Sequence, residues 1–151
     1  MKLQNIMQPR LCRLDEIIDL RNEVLIRGTG RVSPYFEGDY DENTLHVVLI
    51  AENKVVGCVS FMRNAWEGNP AWQLRGMAID PAWRGKGAGR ILLDYVETVL
   101  MEKSDIRQLW CNARAKAVGF YEKMGWQVVS EEFTIPQVGP HFKMIKIIKK
   151  S

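Results

Sequence analysis

Hydrophobic and polar positions alternate along the chain with two different periods, which predict where the helices and strands lie. Apolar residues at a spacing of about three to four predict helices, whereas β-branched and aromatic runs bounded by turn residues predict strands. The predicted helices span residues 14–26, 87–103 and 113–124. The predicted strands span residues 45–51, 55–63, 74–79, 108–111, 126–130 and 142–148. An antiparallel hairpin followed by strands that alternate with helices predicts an α/β (more strictly α+β) fold, a mixed, mostly antiparallel central sheet flanked by helices.

The connections between these segments differ in character. Residues 52–54 form a tight hairpin turn, and a Gly-Thr-Gly sequence ends the first predicted helix. Residues 31–43 form a long polar connection that carries Tyr35 and Phe36. Long loops in compact proteins are often functional, but mobile surface connections are equally common, so both interpretations stay open. The first residues of the chain fit either a short strand or the approach to the first helix.

Residues 73–92 carry the clearest chemical signal in the sequence. A strand ends at Asp80-Pro81, and a turn with glycines at positions 85, 87 and 89 leads into the second predicted helix. The first N–H groups of a helix have no partner within the helix, and its dipole attracts negative charge, so such a turn binds anions. Glycines also let a ligand approach the backbone closely. Three basic side chains surround the same point, namely Arg84, Lys86 and Arg90. The sequence therefore predicts a phosphate-binding turn.

The spacing of the glycines distinguishes between kinds of phosphate site. A nucleoside triphosphate loop requires Gly-Lys-Ser/Thr, but Gly89 is followed by Arg90 and Ile91, with no hydroxyl to bind Mg²⁺. A dinucleotide site requires Gly-x-Gly-x-x-Gly in the first strand-to-helix turn, whereas Gly85-x-Gly87-x-Gly89 lies in the middle of this chain. Both standard interpretations are poor. The remaining simple alternative is an ordinary strand-to-helix connection with flexible glycines.

Two segments of the chain resemble a known family. Arg84-x-x-Gly87-x-Gly89, with the strand of residues 74–79 before it, resembles the acyl-CoA-binding motif of the GCN5-related N-acetyltransferase (GNAT) family. Residues 112–126 resemble a second segment of that family, usually written as Asn, then Ala, then Phe-Tyr, then Gly-Phe, although a Trp replaces the final Phe here. With the hairpin and the first helix, the resemblance covers nearly the whole chain.

The resemblance implies a GNAT-like fold and an enzyme, an acetyl-CoA-dependent N-acetyltransferase that moves an acetyl group to a primary amine by direct transfer in a ternary complex. Acetyl-CoA is then the co-substrate, its pyrophosphate held by the glycine turn and its pantetheine arm paired with the preceding strand. Asn112 would bind the CoA arm, cap the following helix, or do both. The alternative is a non-catalytic acyl-CoA-binding sensor or interaction module of the same fold. The residues implied to bind CoA are Met77, Ala78, Ile79, Arg84, Gly85, Lys86, Gly87, Ala88, Gly89, Arg90, Asn112, Ala117 and Tyr121.

The same resemblance implies roles for residues around the reacting carbonyl. A backbone N–H near Met77 would polarise the thioester carbonyl, and Gly76 is compatible with a local bulge that exposes such groups. Ala113, Ala117 and Tyr121 follow one another at intervals of four, which predicts that they share a helix face. Tyr121 is the implied catalytic acid, which protonates the leaving thiolate. The structural alternative is a tyrosine that is half-buried by packing.

The general base is left open by the sequence. Many members of the family use a Glu near the central strand or a water relay, but residues 73–76 contain no carboxylate. An acyl-cysteine route through Cys111 is disfavoured, because no neighbour in the sequence would lower the pKa of its thiol. An amine that arrives already neutral would need no base. The candidates are Glu37, Asp39, Glu42, His46, His141 and a water molecule.

Length and composition bound the class of protein. At 151 residues, with 46% hydrophobic and 26% charged residues, the chain is predicted to form a single acetyltransferase domain, residues 1–151. No apolar run approaches the ~20 residues that cross a bilayer, and no secretory signal is recognised, so no membrane association is expected. Three scattered cysteines predict reduced thiols and a cytoplasmic location. Two histidines without ligand spacing predict no metal site.

The charge distribution bears on partners. The net charge of +3 is mild and collects in the central turn and the C-terminal tail. An anionic small ligand explains the turn, and no nucleic-acid-binding module is recognised, so no nucleic acid is expected. The expected partner is a small-molecule or peptide amine acceptor, and the acids of residues 31–43 either favour a cationic amine or are simply solvated. Pairing through the closing strands is common in the family, so a homodimer remains open.

Overall fold

The structure is a computed structural model that describes residues 6–149. Within these residues a single sheet of eight strands is flanked by helices. The strands are β1 (Gln8–Cys12), β2 (Leu45–Ala51), β3 (Lys54–Arg63), β4 (Trp72–Ile79), β5 (Gln108–Arg114), β6 (Gln127–Val128), β7 (Phe133–Ile135) and β8 (Gly139–Ile147). Helix α1 joins a 3₁₀ turn (Leu14–Glu16), an α-helical turn (Ile18–Arg21) and a π-helical stretch (Asn22–Ile26). A 3₁₀ turn at Pro81–Trp83 precedes helix α2 (Ala88–Lys103), and a 3₁₀ turn at Ala115–Ala117 precedes helix α3 (Val118–Lys123).

The sheet is mixed. Its strands follow the order β1-β2-β3-β4-β5-β8-β6, and β7 pairs with β8 outside this path. Neighbouring strands are antiparallel except β4 and β5, which run parallel. Parallel neighbours need a crossover connection, and α2 supplies it. The fold class predicted from the sequence, a mostly antiparallel mixed sheet with flanking helices, is therefore confirmed.

Helices cover both faces of the sheet. On one face α2 presents an apolar stripe in which Leu92 and Leu100 are fully buried. On the other face α1 packs Ile17 and Leu20 against Val48 of β2. Complete burial of each such side chain contributes about 1.5–3 kcal/mol. Because successive strand residues point to opposite faces, β2 and β3 supply both layers and fix the two helices relative to β4.

The central strand β4 is irregular at its midpoint. The pairing of β4 with β3 shifts register there, because Gly76 and Met77 together face a single residue of β3. Gly76 has a φ of +65°, which a glycine adopts without strain. The parallel pairing of β4 with β5 stops at Leu74 and Cys111, although both strands continue. The irregularity predicted at Gly76 is confirmed, and the two strands separate to leave a gap in the sheet.

The third predicted helix is wrong in its first part. β5 continues past its predicted end and pairs with β8 along its whole length, so Asn112 is a strand residue and does not cap a helix. Ala113 also belongs to the strand, and Ala117 ends the 3₁₀ turn before α3. The prediction that Ala113, Ala117 and Tyr121 share one helix face is therefore wrong for Ala113. All three nevertheless lie at the wall of the gap between β4 and β5.

Other differences concern the ends of the sheet. The first part of the chain, for which the sequence allowed either a strand or the approach to a helix, contains strand β1. Strand β7 has no counterpart among the predicted strands. The predicted strand 126–130 is reduced to β6, whereas 142–148 begins earlier as β8. Residues 1–5, together with Lys150 of the basic tail and Ser151, lie outside the described residues.

Candidate active site

Two cavities meet where β4 and β5 separate. The large cavity has a volume of about 610 Å³ and the small cavity a volume of about 170 Å³. Because they share a wall, ligands bound in the two cavities could touch each other there. The residues that line both are Leu25, Met77, Arg114, Ala117 and Tyr121.

The large cavity extends from Met77 to the N-terminus of α2. Gly85 and Gly87 there have φ angles of +75° and +84°, and a Cβ added to either would meet nothing within 4 Å. Gly87 caps α2, and no side chain of the described residues accepts from the first-turn N–H groups. Open space beside unpaired N–H groups at a helix N-terminus can hold an anion. The turn therefore suits a phosphate group.

Positive charge surrounds this turn. Lys86 lies beside it with Nζ 5.0 Å from the centre of the Trp83 ring. Several further cations project from both walls, and no Asp or Glu of the described residues lines the cavity. The large cavity therefore favours an anionic ligand. Its basic lining residues are Arg84, Arg90, Arg114, Lys116 and Lys123.

Gly89 has a different function from the two glycines before it. It lies within the first turn of α2, and a Cβ at this position would come 2.7 Å from Cζ of Phe120 in α3. Phe120 itself lines the large cavity. The third glycine of the turn is therefore required by close packing between α2 and α3, whereas Gly85 and Gly87 are required by their left-handed backbone.

The small cavity lies on the other side of the shared wall. The backbone N–H of Gly30 donates to the carbonyl of Gln137 at 3.2 Å, which joins the loop after α1 to the turn before β8. Arg31 and Val138, which follow these two residues, line the cavity, as does the bulged part of β4. Residues that line the small cavity and not the large one include Arg31, Phe36, Gln73, Arg75, Ile135 and His141.

Tyr121 is held rigidly at the shared wall. Its ring is buried and meets those of Phe120 and Trp126 edge-on, with centroid separations of 5.3 and 5.4 Å. Its hydroxyl donates to Sδ of Met77 at 3.6 Å. Burial raises the pKa of Tyr121 well above its ordinary value, and nearby Arg114 offsets part of that shift. The phenol is therefore protonated at neutral pH, and Tyr121 borders both cavities.

Two of the proposed bases are held in a buried network away from both cavities. Asp39 accepts from both terminal nitrogens of Arg21, at 2.7 and 2.9 Å. His46 donates from Nε2 to the carbonyl of Asp39 at 3.0 Å, and its Nδ1 lies 2.6 Å from the hydroxyl of Ser60. Burial, with a contribution from Arg21, lowers the pKa of His46. Neither Asp39 nor His46 lines a cavity. Their hydrogen bonds instead connect residues 31–43 to the sheet.

His141 is the one proposed base that lines the small cavity. Its Nδ1 lies 2.7 Å from the carbonyl of Gly139, which can only accept, so Nδ1 carries the proton and Nε2 is left as the acceptor. Burial, with a contribution from Arg114, lowers the pKa of His141. The ring is therefore neutral at pH 7. Glu37 and Glu42 are exposed and line neither cavity.

The three cysteines are free and unreactive. Cys58 and Cys111 are buried, and Cys12 is partly exposed. Burial raises the pKa of each thiol to about 12. Cys111 lines neither cavity, which agrees with the prediction that it carries no acyl group.

Most residues predicted to bind CoA lie around one space. All of them line the large cavity except Lys86 and Asn112. Lys86 is exposed in the glycine turn, beside Trp83. Asn112 lines the small cavity instead, and its Oδ1 accepts from Nζ of Lys143 at 3.0 Å. Asn112 therefore faces the side opposite to the one that its predicted contact with the CoA arm requires.

Sequence reasoning missed several wall residues. Val24 and Leu25 of α1 contribute apolar surface, and Arg114 stands at the shared wall. Arg31 and Arg75 bring charge to the small cavity. Only Arg75 and Arg114 have a signal in the sequence, because each is a charged residue in an otherwise apolar strand. An unpaired charge in a strand calls for an explanation.

Two features are missing from residues 6–149, a membrane-spanning helix and a metal-binding cluster. No helix within residues 6–149 is long and apolar enough to cross a membrane. Over the same residues, no group of three or more His, Cys, Asp or Glu side chains could hold a metal ion.

Solved structures identify the class of protein that this fold represents. An acyl-CoA N-acyltransferase from Pseudomonas aeruginosa superposes with a TM-score of 0.79 over 93% of this chain and 99% of its own, at 15% identity. An aminoglycoside 6'-N-acetyltransferase complexed with coenzyme A superposes with a TM-score of 0.73 over 95% and 99%, at 14% identity. The chain therefore has the fold of the acyl-CoA N-acyltransferases.

Sequence comparison then identifies the family. The sequence model of the acetyltransferase (GNAT) family matches residues 14–126, which is more than half of the chain. An uncharacterized N-acetyltransferase of Bacillus subtilis (strain 168), YitI, is 27% identical over 149 residues, 97% of this chain and 99% of its own. The chain belongs to the acetyltransferase (GNAT) family, which confirms the resemblance of the two motifs. Family and fold together support an acyl-transfer activity.

Proposed function

We propose that the protein is an acetyl-CoA-dependent N-acetyltransferase that acetylates a primary amine by direct transfer in a ternary complex. The observation that carries the proposal is the pair of cavities with a shared wall at Met77 and Tyr121. One cavity is basic and ends at a helix N-terminus, as a CoA site needs. The other is separate, so an acceptor can be bound at the same time. Bringing the two reactants together supplies much of the rate of such a reaction.

The chain would hold CoA by its diphosphate end. Gly85 and Gly87 leave the backbone open, the first turn of α2 offers N–H groups, and Arg84, Lys86 and Arg90 add charge-assisted hydrogen bonds. The pantetheine arm would then follow the unpaired edge of β4 from Ile79 back to Met77. Parallel pairing with β5 ends at Leu74, so this edge has backbone groups to offer.

Catalysis would take place at the shared wall. The acceptor nitrogen forms a bond to the thioester carbonyl carbon, the carbon–sulfur bond breaks, and the thiolate takes up a proton. A backbone N–H of the bulged segment at Met77 would stabilise the negative charge that develops on the carbonyl oxygen. We propose Tyr121 as the acid for the thiolate, because its phenol is protonated and reaches both cavities.

The acceptor must lose protons before and during the reaction. His141 is proposed as the general base, since its neutral Nε2 is a proton acceptor at the small cavity. A water molecule between Nε2 and the amine, or an amine that binds already neutral, are the alternatives. The pH dependence and the effect of replacing His141 distinguish a histidine base from either of them.

The organisation of the chain follows the same proposal. We propose one acetyltransferase domain over residues 1–151, because the eight strands of the described residues belong to one sheet and the family match covers residues 14–126. A cytoplasmic location is proposed from the three free thiols. Association into a homodimer through the closing strands remains a prediction.

Binding of the donor is the first test. Calorimetric titration with acetyl-CoA should show one site, and Arg84→Gln/Lys86→Gln should weaken it by about 10- to 100-fold, the range expected when hydrogen bonds to charged groups are lost. Arg13→Gln/Lys54→Gln removes the same two charge types from exposed positions and should bind as the wild type does. An absence of heat, or equal affinities for both double variants, would overturn the proposed CoA site.

Turnover is the second test. CoA release should be screened against polyamines, aminoglycosides, amino acids, aromatic amines and peptide N-termini. Release with any acceptor supports the N-acetyltransferase. Tight binding of acetyl-CoA without release by any amine would favour the alternative, a non-catalytic acyl-CoA-binding module.

A further inference from the structure

The small cavity carries an excess of positive charge. Arg31, Arg75 and Arg114 line it, and they come from three separate parts of the chain. Among residues 6–149, no Asp or Glu oxygen lies within 4.0 Å of any of these three guanidinium groups. Arginine is rarely placed in a cleft without an anionic partner, because the group must give up water there.

The protein itself uses few of the hydrogen-bond donors on these arginines. Arg75 donates from Nη1 to the carbonyl of Glu37 at 3.2 Å, and Arg114 donates from Nη2 to the carbonyl of Leu25 at 3.0 Å. Arg31 makes no side-chain hydrogen bond within the described residues. A guanidinium group has five N–H donors, so most of them remain available to a ligand.

An aromatic ring holds two of these arginines together. The guanidinium carbon of Arg31 lies 4.9 Å from the centre of the Phe36 ring, and that of Arg75 lies 5.0 Å from it. Phe36 also stacks on Arg21 at 4.5 Å. Stacking orients a guanidinium group while leaving its edge free to meet an oxyanion. Arg31 and Arg75 are thus oriented together for binding an oxyanion.

Nearby carboxylates do not neutralise this charge. Asp39 is taken up by Arg21, whose side chain is completely buried beside it. Glu37 is exposed and is not among the residues that line the cavity. His141 and Tyr121 are neutral at pH 7 for the reasons given above. Burial, followed by repulsion from Arg31, lowers the pKa of both Arg75 and Arg114. An anion between the arginines would relieve that repulsion.

We propose that the acceptor is a small amino acid, and that Arg31 and Arg75 bind its carboxylate while its amine points to Met77 and Tyr121. This inference rests on the proposed N-acetyltransferase activity. The direction follows from the linings: Met77 and Tyr121 also border the large cavity, where the acetyl group would arrive, whereas Arg31 and Arg75 border only the small one. Planar guanidinium groups match the geometry of a carboxylate.

Size and lining favour a compact molecule with an apolar side chain. A volume of about 170 Å³ is well below the ~300–1,000 Å³ of pockets that enclose drug-sized ligands. Leu74, Ile135 and Val138 provide apolar surface next to the arginines. A polyamine or an aminoglycoside fits poorly, because additional ammonium groups would face the same arginines. This reverses the preference for a cationic amine that the acids of residues 31–43 suggested.

Matched acceptors provide the test. Rates of CoA release should be compared for apolar amino acids, for the corresponding carboxamides and for the decarboxylated amines, for example leucine, leucinamide and 3-methylbutylamine. The carboxylate is expected to raise kcat/KM by at least about 10-fold, as loss of hydrogen bonds to a charged group would cost. Equal or better rates with the carboxamides and amines would overturn the proposal while leaving the N-acetyltransferase intact.

Variants connect the preference to the arginines. Arg31→Gln and Arg75→Gln should each lower kcat/KM for leucine by about 10-fold or more, and by a clearly smaller factor for 3-methylbutylamine, which has no carboxylate. Arg31→Glu should invert the preference. Arg63→Gln is the matched control, since Arg63 also stacks on an aromatic ring, that of Trp72 at 5.5 Å, but lines neither cavity. If Arg31→Gln and Arg75→Gln both keep the wild-type preference for leucine over 3-methylbutylamine, the assignment is overturned.

A failure of the activity itself remains distinguishable. If no amine of any kind releases CoA, the protein–CoA complex should be titrated calorimetrically with the same amino acids and carboxamides. Carboxylate-dependent binding that disappears in Arg31→Gln and Arg75→Gln would support the carboxylate site without the enzyme. An absence of binding by every amino acid would overturn it.

Discussion

The hydroxyl of Tyr121 donates to Sδ of Met77 across 3.6 Å, and this contact joins α3 to the bulged strand β4. It lies where the two cavities share a wall. A thioether is a weak acceptor, so a stronger one, such as a developing thiolate, can take over the phenolic hydrogen. The same side chain is packed between the rings of Phe120 and Trp126, which keeps it in place whether or not it donates to Met77.

Replacing Tyr121 by Phe should therefore separate catalysis from binding. The ring packing is retained and only the proton is lost, so kcat should fall by about 10²- to 10⁴-fold while the Kd for acetyl-CoA changes little. Steady-state kinetics and calorimetry measure the two quantities. Tyr95→Phe, on α2 and outside both cavities, is the control and should keep the wild-type kcat. A fully active Tyr121→Phe variant would exclude the phenol as the acid.

Substituting Gly89 by Ala should weaken acetyl-CoA binding. The new Cβ would lie 2.7 Å from the ring of Phe120, so the ring or the first turn of α2 must move, and both border the large cavity. We expect the Kd to rise by about 10-fold or more, with a loss of about 1–3 kcal/mol in the free energy of unfolding.

Gly119→Ala provides the comparison, because a Cβ there meets nothing within 4 Å and Ala is the better helix former by up to about 1 kcal/mol. That variant should be as stable as the wild type or more so, with an unchanged Kd. Similar effects of the two substitutions on affinity would mean that contact with Phe120 is not what Gly89 protects.

Substituting Gly76 by Ala should destabilise the bulge of β4. Its φ of +65° disfavours a side chain, and the Cβ would lie 2.8 Å from Nε of Arg21 and 3.0 Å from the Phe36 ring. Gly68→Ala shares the positive φ but meets nothing within 4 Å, so it isolates the backbone cost of about 1–2 kcal/mol. Chemical denaturation should show a larger loss for Gly76→Ala, and equal losses would show that the contact with Arg21 adds nothing.

Local patterns were sufficient to predict β4, the glycine turn and α2. The signals that define them, an apolar strand, a Pro, three spaced glycines and a helical stripe, all lie within residues 72–103. The first part of the third helix failed for the opposite reason. The extra residues of β5 are determined by pairing with β8, and Asn112 meets Lys143 across that pairing. Local preference for a capped helix lost to strand pairing between distant segments.

The candidate site divides in the same way. The glycine turn that is proposed to bind CoA is local in sequence, so motif spacing is enough to indicate it. The small cavity is lined by Arg31 from the loop after α1, Arg75 from β4 and Arg114 from β5. Only the folded sheet brings these residues together. Asp39 and His46 are candidate bases by residue type, but in the folded protein Asp39 binds Arg21 and His46 binds Ser60 in one buried network.

Stability should depend on pH through two histidines. The pKa values of His46 and His141 are both lowered in the folded protein, mainly by burial, below the ordinary value of about 6.5. Because the unfolded chain binds protons first, the stabilisation is fully present above about pH 6.5 and is lost as the pH falls through the folded pKa values. The free energy of unfolding should therefore decrease between pH 7 and pH 5.

Urea denaturation at several pH values measures this effect. His46→Gln and His141→Gln should each flatten the dependence, whereas the contribution of Glu16, whose pKa is lowered to about 2, is lost mainly below about pH 5. If His141 is also the base, its replacement should abolish the fall of kcat/KM at low pH as well as lowering the rate. An unaltered pH–rate profile in His141→Gln would favour water or a neutral amine instead.

The buried pair of Arg21 and Asp39 should be the most sensitive charged contact of the fold. Both side chains are fully buried, so Asp39→Asn leaves a guanidinium charge without a partner, and we expect a loss of about 3–5 kcal/mol in the free energy of unfolding. Asp15→Asn, which breaks an exposed pair with Arg13, should leave the denaturation midpoint nearly unchanged.

A double variant decides which part of that loss comes from the stranded charge. Arg21→Met/Asp39→Leu removes both charges and should recover part of the stability, since an uncompensated buried ion costs more than an apolar pair of similar volume. Asp39 also accepts from the N–H of Phe36 at 2.6 Å, a hydrogen bond that Asn can keep through its amide oxygen and that Leu cannot make. A double variant no more stable than Asp39→Asn would therefore attribute its own loss to the anchoring of Phe36, and kcat/KM for the acceptor should then fall with it.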